Sequence, residues 1–340
     1  MSIDFHGDIL PFYFPSTTLL VDDHEKYLDS VPLLLDSALR LRSYSSPRQA
    51  LAELGSHAIR AVPGGGWMYH WKDRSSHTRE LVALDIDSIH RVMFDPERFA
   101  EVSVVVVDLT MPEMDGIAFC RELANPHIGK ILLTGTADDC TAIEAFNAGV
   151  IDRFIRKSDP QAMDKLQQGI RALQRRYFER VGGFVAEALA LGNVRFLRDK
   201  AFQQAFRGLV GDFPAVECYL HVNPTGLLLL DERGRGRFVL VQTDEDLRVH
   251  YEIASDLGAP AEVLAALREG DRLPWFGEGD GYYREGAAEP AALLHPAITV
   301  RGEQWYHLAL IEDVARFQLG KLRCYRDWLS EQDGQTLGAA

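Results

Sequence analysis

The sequence predicts an α/β chain followed by an α+β region, and three observations carry that reading. Short apolar runs alternate with amphipathic stretches from about residue 17 to 174. The first and third of these runs end in acids, Asp22-Asp23 and Asp108. Beyond about residue 211 the order changes to strands in succession, then helices, then strands again. Alternating strands and helices imply right-handed crossovers and a parallel sheet covered on both faces.

The elements follow in chain order. Residues 1–16 form an arm whose Pro11-Phe-Tyr-Phe-Pro15 run is expected to pack on a domain, because three exposed aromatics are costly. Thr18–Val21 is a strand. Glu25–Leu39 is a helix, with Leu28, Val31, Leu35 and Leu39 at helical spacing. Leu41–Tyr44 is a strand, and Ser46-Pro47 opens a helix to about Gly55, since proline suits a first turn. Val102–Val107 is a valine strand of the continuous apolar kind that buried parallel sheets use. Gly116–Ala124 is a helix and Lys130–Thr134 a strand. Thr136–Ala148 is a helix capped by Gly149. Arg153–Arg156 is the fifth strand, and a long helix starts at Pro160. Residues 58–98, with Gly64-Gly65-Gly66-Trp67 and an amphipathic stretch from Arg79 to Val92, are read as an insertion carrying one helix.

In open parallel sheets ligands bind beyond the carboxyl ends of the strands. Such a sheet brings Asp22, Asp23 and Asp108 together, and three close carboxylates need a counter-charge. A hard cation with oxygen ligands, magnesium, supplies it. A carboxylate beside that ion can attack a phosphoryl donor. The fourth strand delivers the Thr134 hydroxyl and the fifth is followed by the Lys157 ammonium, both suited to phosphoryl oxygens. Asp22-Asp23 alone would more often cap the next helix, and Asp115-Gly116 alone would more often be a turn. The register of all the groups together is what argues for chemistry.

These residues resemble the receiver domains of bacterial two-component response regulators. The matching motifs are Leu20-Val21-Asp22-Asp23, the stretch from Asp108 to Gly116, Leu133-Thr134, and Phe154-Ile-Arg-Lys157. The resemblance implies a flavodoxin-like five-stranded parallel domain over 17–174, with Asp108 as phosphoacceptor. It implies that Asp23, Asp108 and the Thr110 backbone carbonyl ligate Mg2+ directly, and that Asp22 holds a metal-bound water. Thr134 and Lys157 would bind the phosphoryl group, and Thr134 and Phe154 would report it. A histidine kinase or phosphotransfer protein would be the donor. The chain departs from the family pattern at Gly135, where alanine is usual, and at Ser158, where proline is usual. With Ser158 in place a cis peptide after Lys157 is not expected.

The formal net charge of −14 disfavours nucleic acid as a direct partner. The stretch from Asp212 holds 12 Lys/Arg against 22 Asp/Glu, with no basic helix-turn-helix, so direct DNA binding is not expected. Four scattered cysteines without zinc spacing suggest reduced thiols in a cytoplasmic protein. No apolar run is long enough for membrane insertion, and the N-terminus lacks the features of a signal peptide. Gly64–Gly66 lacks a following Lys-Ser/Thr, so it is no phosphate loop. His70 between Trp67 and Trp71 reads as local packing.

The helix from Pro160 carries Met163, Leu166, Ile170, Leu173 and Tyr177 at heptad spacing. It is expected to run to a break at Gly182-Gly183, with further helices at Phe184–Leu191 and Val194–Val210. Residues 175–210 thus form a helical connector, and homodimer contacts through it are an expectation. Its stripe has a simpler use in covering the receiver's own sheet. Residues 211–340 show strands at Ala215–Val222, Leu227–Asp231 and Phe238–Gln242, and helices at Asp244–Leu257 and Ala261–Glu269. Strands at Ala292–Val300 and Gln304–Ile311 and a helix at Ala315–Leu329 complete them. This layout is similar to PAS-type sensory domains, an unrelated α+β interaction domain being the alternative. His221, His250, His295 and His307 read as hydrogen-bonded structural histidines before haem ligands. Functionally the chain is expected to be a response regulator that switches dimerisation or partner binding. A C-terminal domain acting as a regulated enzyme, or a phosphate-sink scaffold, are the alternatives.

Overall fold

Strand β6 (Val102–Asp108) is buried along its whole length, as its run of valines requires. It lies at the centre of a parallel sheet of order β3-β2-β6-β7-β8. The other strands are β2 (Thr17–Val21), β3 (Arg40–Tyr44), β7 (Gly129–Thr134) and β8 (Arg153–Arg156). This architecture comes from a computed structural model that describes residues 3, 5, 7–56, 68–72, 80–84, 87–135, 139–189, 194–276, 281–285 and 293–337. The chain forms two units. The first comprises Phe14–Gly64 and Glu97–Gly183, and the second Ser2–Tyr13, Gly65–Pro96 and Phe184–Ala340.

In the first unit, Leu20, Val104, Val106, Ile131, Leu133 and Ile155 of the sheet pack with residues of two helices. These are α1 (Glu25–Leu34) and α6 (Ala162–Leu189). Alternate residues Leu19, Val21, Val105, Val107 and Leu132 are equally buried, so both sheet faces are covered. The remaining helices are α2 (Pro47–Ser56), α4 (Gly116–Glu122) and α5 (Asp139–Asn147). Gly149 follows α5 with φ 68°, the left-handed value that makes glycine the natural stop. The first unit thus has the covered parallel sheet that the alternating pattern predicts, in the flavodoxin-like form that the resemblance implies.

Helix α1 stops at Leu34, five residues short of the expected Leu39. Leu35 is extended and Pro32 lies in the last turn. Leu35 and Leu39 are still buried, so the apolar spacing outlasts the helix. Helix α6 runs unbroken through Gly182-Gly183, correcting the expected break. Two glycines weaken a helix by about 2 kcal/mol relative to alanines but do not end one that packing supports. The stripe of α6 is spent internally: Leu166, Ile170, Leu173 and Tyr177 are all buried, three of them within the sheet's core cluster.

Within the insertion, the expected single helix over Arg79–Val92 is replaced by a strand and a shorter helix. Strands β4 (Met68–Lys72) and β5 (Glu80–Leu84) form an antiparallel pair, and α3 spans Asp87–Val92. The Gly64–Trp67 stretch and Arg79 lie outside the described residues. So do Thr136, Leu191 and Ala292.

The second unit is built on a seven-stranded sheet of order β1-β9-β10-β11-β14-β13-β12. Its strands are β1 (Phe12–Tyr13), β9 (Ala215–Val222), β10 (Thr225–Asp231), β11 (Gly236–Thr243), β12 (Arg272–Pro274), β13 (Leu294–Arg301) and β14 (Trp305–Ile311). Every pairing in it is antiparallel. The arm is therefore packed as expected: Phe12 pairs with Tyr219 and is fully buried.

Helix α8 (Asp244–Asp256) starts at a capping box between Thr243 and Asp246, and α9 (Ala261–Glu269) ends at left-handed Gly270. The expected succession of three strands, two helices and a strand pair is present, with β12 added. Two segments differ from their expected helices. Residues Arg195–Arg198 form a 3-10 turn before α7 (Lys200–Val210), which Asp199 caps. Two 3-10 turns, Ala315–Phe317 and Leu319–Lys321, meet at Gln318 with φ 51° and precede α10 (Tyr325–Leu337).

Candidate phosphoacceptor site

Parallel pairing puts the ends of β2 and β6 side by side, with Val21 opposite Val107. The residues that follow, Asp22 and Asp108, are therefore neighbours. Asp22 is fully buried and Asp108 nearly so. Asp22 Oδ1 accepts from the His24 backbone N–H at 2.9 Å, which fixes its rotamer. Asp108 Oδ2 accepts from the Thr110 backbone N–H at 2.9 Å.

The stretch from Asp108 to Gly116 has a local reason for its ending. Gly116 N–H donates to Leu109 carbonyl, folding the loop back under the acid. A Cβ on Gly116 would stand 2.3 Å from the Asp108 carbonyl oxygen and 2.9 Å from Leu132. Only glycine permits that approach. Asp115 then caps α4 by accepting from Ala118 N–H at 2.8 Å.

Lys157 crosses from the end of β8 to the acids. Its backbone N–H donates to Thr134 carbonyl at 2.9 Å. Its Nζ donates to Asp22 Oδ2 at 2.5 Å and lies 2.6 Å from Asp108 Oδ1. Burial opposes the ammonium, but the hydrogen bonds and charges of Asp108 and Asp22 outweigh it, and the Lys157 pKa is raised. Ser158 does not prevent this reach. Among the described residues the one cis peptide is Asn223–Pro224, so the bond after Lys157 is trans as expected.

Thr134 is fully buried at the end of β7, and its hydroxyl has no hydrogen-bond partner among the described residues. Gly135 beside it is exposed with open space around it. Thr110 is exposed, and Phe154 is half-buried on β8. The sheet thus brings Asp22, Asp108, Thr134 and Lys157 to one edge. Asp23 joins through His24, whose Nδ1 is 3.1 Å from Asp23 Oδ1 and 3.4 Å from Asp22 Oδ1. Possible ligand atoms of Asp22, Asp23 and His24 all lie within 4.8 Å of one another. Carboxylate oxygens around an ammonium, beside an orphaned buried hydroxyl, fit a hard cation and an oxyanion in the same cleft.

Sequence reasoning missed two neighbours of this site. His24 is one. The other is Tyr27 in the first turn of α1, with Lys157 Nζ 4.4 Å from the centre of its ring. Their signal was position, one and four residues after Asp23, with no chemical signature of its own.

In the second unit the buried polar groups act as joints. Asp199 accepts from Ala201, Phe202 and Glu303 N–H groups. His307 contacts Asp244, Gly270 carbonyl and Thr299. His221 is held by Pro224 carbonyl and His250 by Gln242. Each of these three histidines is hydrogen-bonded within the unit. Among the described residues the four cysteines are free thiols, and burial pushes Cys120 and Cys218 up to about 12. No described helix is long and apolar enough to cross a membrane.

A parallel α/β sheet with an acid cluster at its carboxyl edge, a threonine and a lysine defines the receiver class. Comparison with known proteins agrees: the response regulator receiver domain profile matches residues 88–171. The Legionella pneumophila response regulator LqsR is similar in structure at TM-score 0.74. It shares 33% identity, over 96% of this chain and 97% of that one. Transcriptional regulatory protein ZraR of Klebsiella oxytoca is 30% identical over 39% of this chain and 28% of its own. The C4-dicarboxylate transport transcriptional regulatory protein DctD of Rhizobium meliloti is 32% identical over 40% and 29%. The chain spans less than a third of the length of these two curated relatives. It belongs to the response regulators of two-component signalling.

Proposed function

We propose that Asp108 accepts a phosphoryl group from a histidine kinase or phosphotransfer protein. A carboxylate oxygen of Asp108 attacks phosphorus, and the bond from phosphorus to the donor breaks with its electron pair leaving on the donor. Asp23, Asp108 and the Thr110 backbone carbonyl would hold Mg2+, with Asp22 holding a water on the ion. When bound, Mg2+ neutralises charge that builds on the transferring group. Lys157 pairs with one phosphoryl oxygen, and the Thr134 hydroxyl donates to another. Phe154 follows the movement of Thr134. The observation that carries this reading is the Lys157 ammonium held between Asp22 and Asp108 at 2.5 and 2.6 Å.

The added charge biases a switch in self-association or in binding of a protein partner. Helix α6 begins five residues after Lys157 and continues past Gly183 into residues of the second unit, so it supports a route for that switch. Its apolar stripe is already buried, so a homodimer would use other residues of the connector.

The test is incubation of the full chain with acetyl phosphate and Mg2+. Stoichiometric uptake is expected, lost in Asp108→Asn and on chelation of the metal. Uptake by the Asp108→Asn protein at the wild-type rate would sink the assignment.

A further inference from the structure

Lys157 has to do two jobs at once. Its ammonium is drawn by Asp22 and Asp108, the same groups that are needed for a cation and for phosphorus. When those carboxylates turn to their ligands, both contacts weaken, and a flexible four-carbon stem is left to hold the charge in place.

A third contact comes from another direction. The Lys157 Nζ lies 4.4 Å from the centre of the Tyr27 ring, inside the range of a cation–π interaction. The ring itself is anchored. Tyr27 packs against the buried core of the first unit. Its backbone N–H donates to His24 carbonyl at 2.9 Å, tying it to the turn that carries Asp22 and Asp23. Its hydroxyl is buried and has no hydrogen-bond partner among the described residues, and its ring face meets the ammonium. Burial, ahead of the neighbouring charges, raises the Tyr27 pKa and keeps the ring a neutral phenol.

We propose that Tyr27 is a positioning residue for Lys157, its ring face holding the ammonium over the cleft while Asp22 and Asp108 engage metal and phosphorus. This role rests on the phosphoryl-transfer reading of the site. Ser158 follows the lysine here where the resembling family has proline, and the aromatic ring supplies a constraint on the ammonium end of the side chain.

The experiment uses the full chain, acetyl phosphate and Mg2+. Tyr27→Leu is expected to lower the maximal rate of uptake by about three- to tenfold, with half-saturation by Mg2+ unchanged. Tyr27→Phe keeps the ring face and is expected to react within about twofold of wild type. In a Lys157→Ala background, Tyr27→Leu should add nothing, because the two residues act as one unit. A second readout needs no donor. The Lys157 ε-methylene protons, followed by NMR with labelled lysine, should be shifted upfield in wild type and Tyr27→Phe and not in Tyr27→Leu. Equal rate losses in the Phe and Leu variants, or additive losses in the double variant, would overturn the proposal. If wild type takes up no phosphoryl group, the phosphoryl-transfer reading falls. The lysine resonances then decide the Tyr27 contact alone, and an unshifted wild-type signal overturns it.

Discussion

The two units bury polar groups for opposite purposes. In the parallel unit, Asp22, Asp108, Thr134 and Lys157 converge at one edge, with two acids sharing one ammonium and a hydroxyl left without a partner. In the antiparallel unit, Asp199 and His307 each join separate elements, and their bonds go to backbone and side chains that need them. A buried hydroxyl without a partner costs stability, whereas a buried acceptor with three donors supplies it. The first arrangement leaves polar groups open to further partners; the second closes them on one another like rivets. Trp67, Trp71, Trp275, Trp305 and Trp328 are the chain's five tryptophans, and all fall in the second unit. Tryptophan fluorescence therefore follows that unit selectively.

The contrast is broken most strongly at His307. His307→Ala leaves a cavity among β14, α8 and β13 and strands the groups it bonds. It is expected to cost about 3 kcal/mol in the fluorescence-detected urea transition. Asp199→Ala comes next. It removes the α7 cap and the bond to Glu303, for about 2 kcal/mol by the same measurement. Phosphoryl uptake should survive both at temperatures where the protein stays folded.

A third effect follows from His90 on α3. Burial, then the charges of His221 and Arg316, lowers its pKa from 6.5 to about 4. The native state therefore refuses a proton that the unfolded chain accepts. Stability tied to this group is full above pH 6.5 and is lost as pH falls toward 4. Allowing for its solvent-facing side, the loss should be about 1–2 kcal/mol. Fluorescence-detected melts of wild type and His90→Gln across that range should converge at low pH. Parallel curves would remove His90 from the account.

The smallest stability effect sharpens the comparison most. Thr134→Val removes an orphaned hydroxyl, so stability should stay within about 1 kcal/mol of wild type or rise. Uptake from acetyl phosphate should nonetheless fall. A variant that loses stability and keeps its uptake rate would place Thr134 among the rivets.

Much of the parallel unit was legible because its chemistry and its pattern coincide. The Val104–Val107 run can only be a buried strand, and every strand-end group in the motifs lands at the sheet edge. The errors lie where spacing and backbone part company. Leu35 and Leu39 keep a helical rhythm after α1 has ended, because burial and helix are separate requirements. Gly182-Gly183 reads as a stop but is carried through by the helix around it. The Glu80–Leu84 strand reads in sequence as part of an amphipathic helix, since five residues fit either period. Tyr27 could not be found from sequence. Its role depends on where a lysine 130 residues later places its charge.

The division of the chain has a consequence for anyone treating the molecule as modular. The polypeptide passes between its units at four points, after Tyr13, Gly64, Pro96 and Gly183. Strand β9 takes β1 from the N-terminus on its outer side, and His221 at its end meets His90 of the insertion. A cut after Gly183 therefore frees no finished cassette. The C-terminal piece would leave the ribosome with β9 as an open edge, ready to pair with another chain. The second unit is built from stretches that lie on both sides of the first unit's segments in the sequence. Receiver exchange between such proteins must transplant the arm and α3 with the sheet that β1 pairs with and His90 meets.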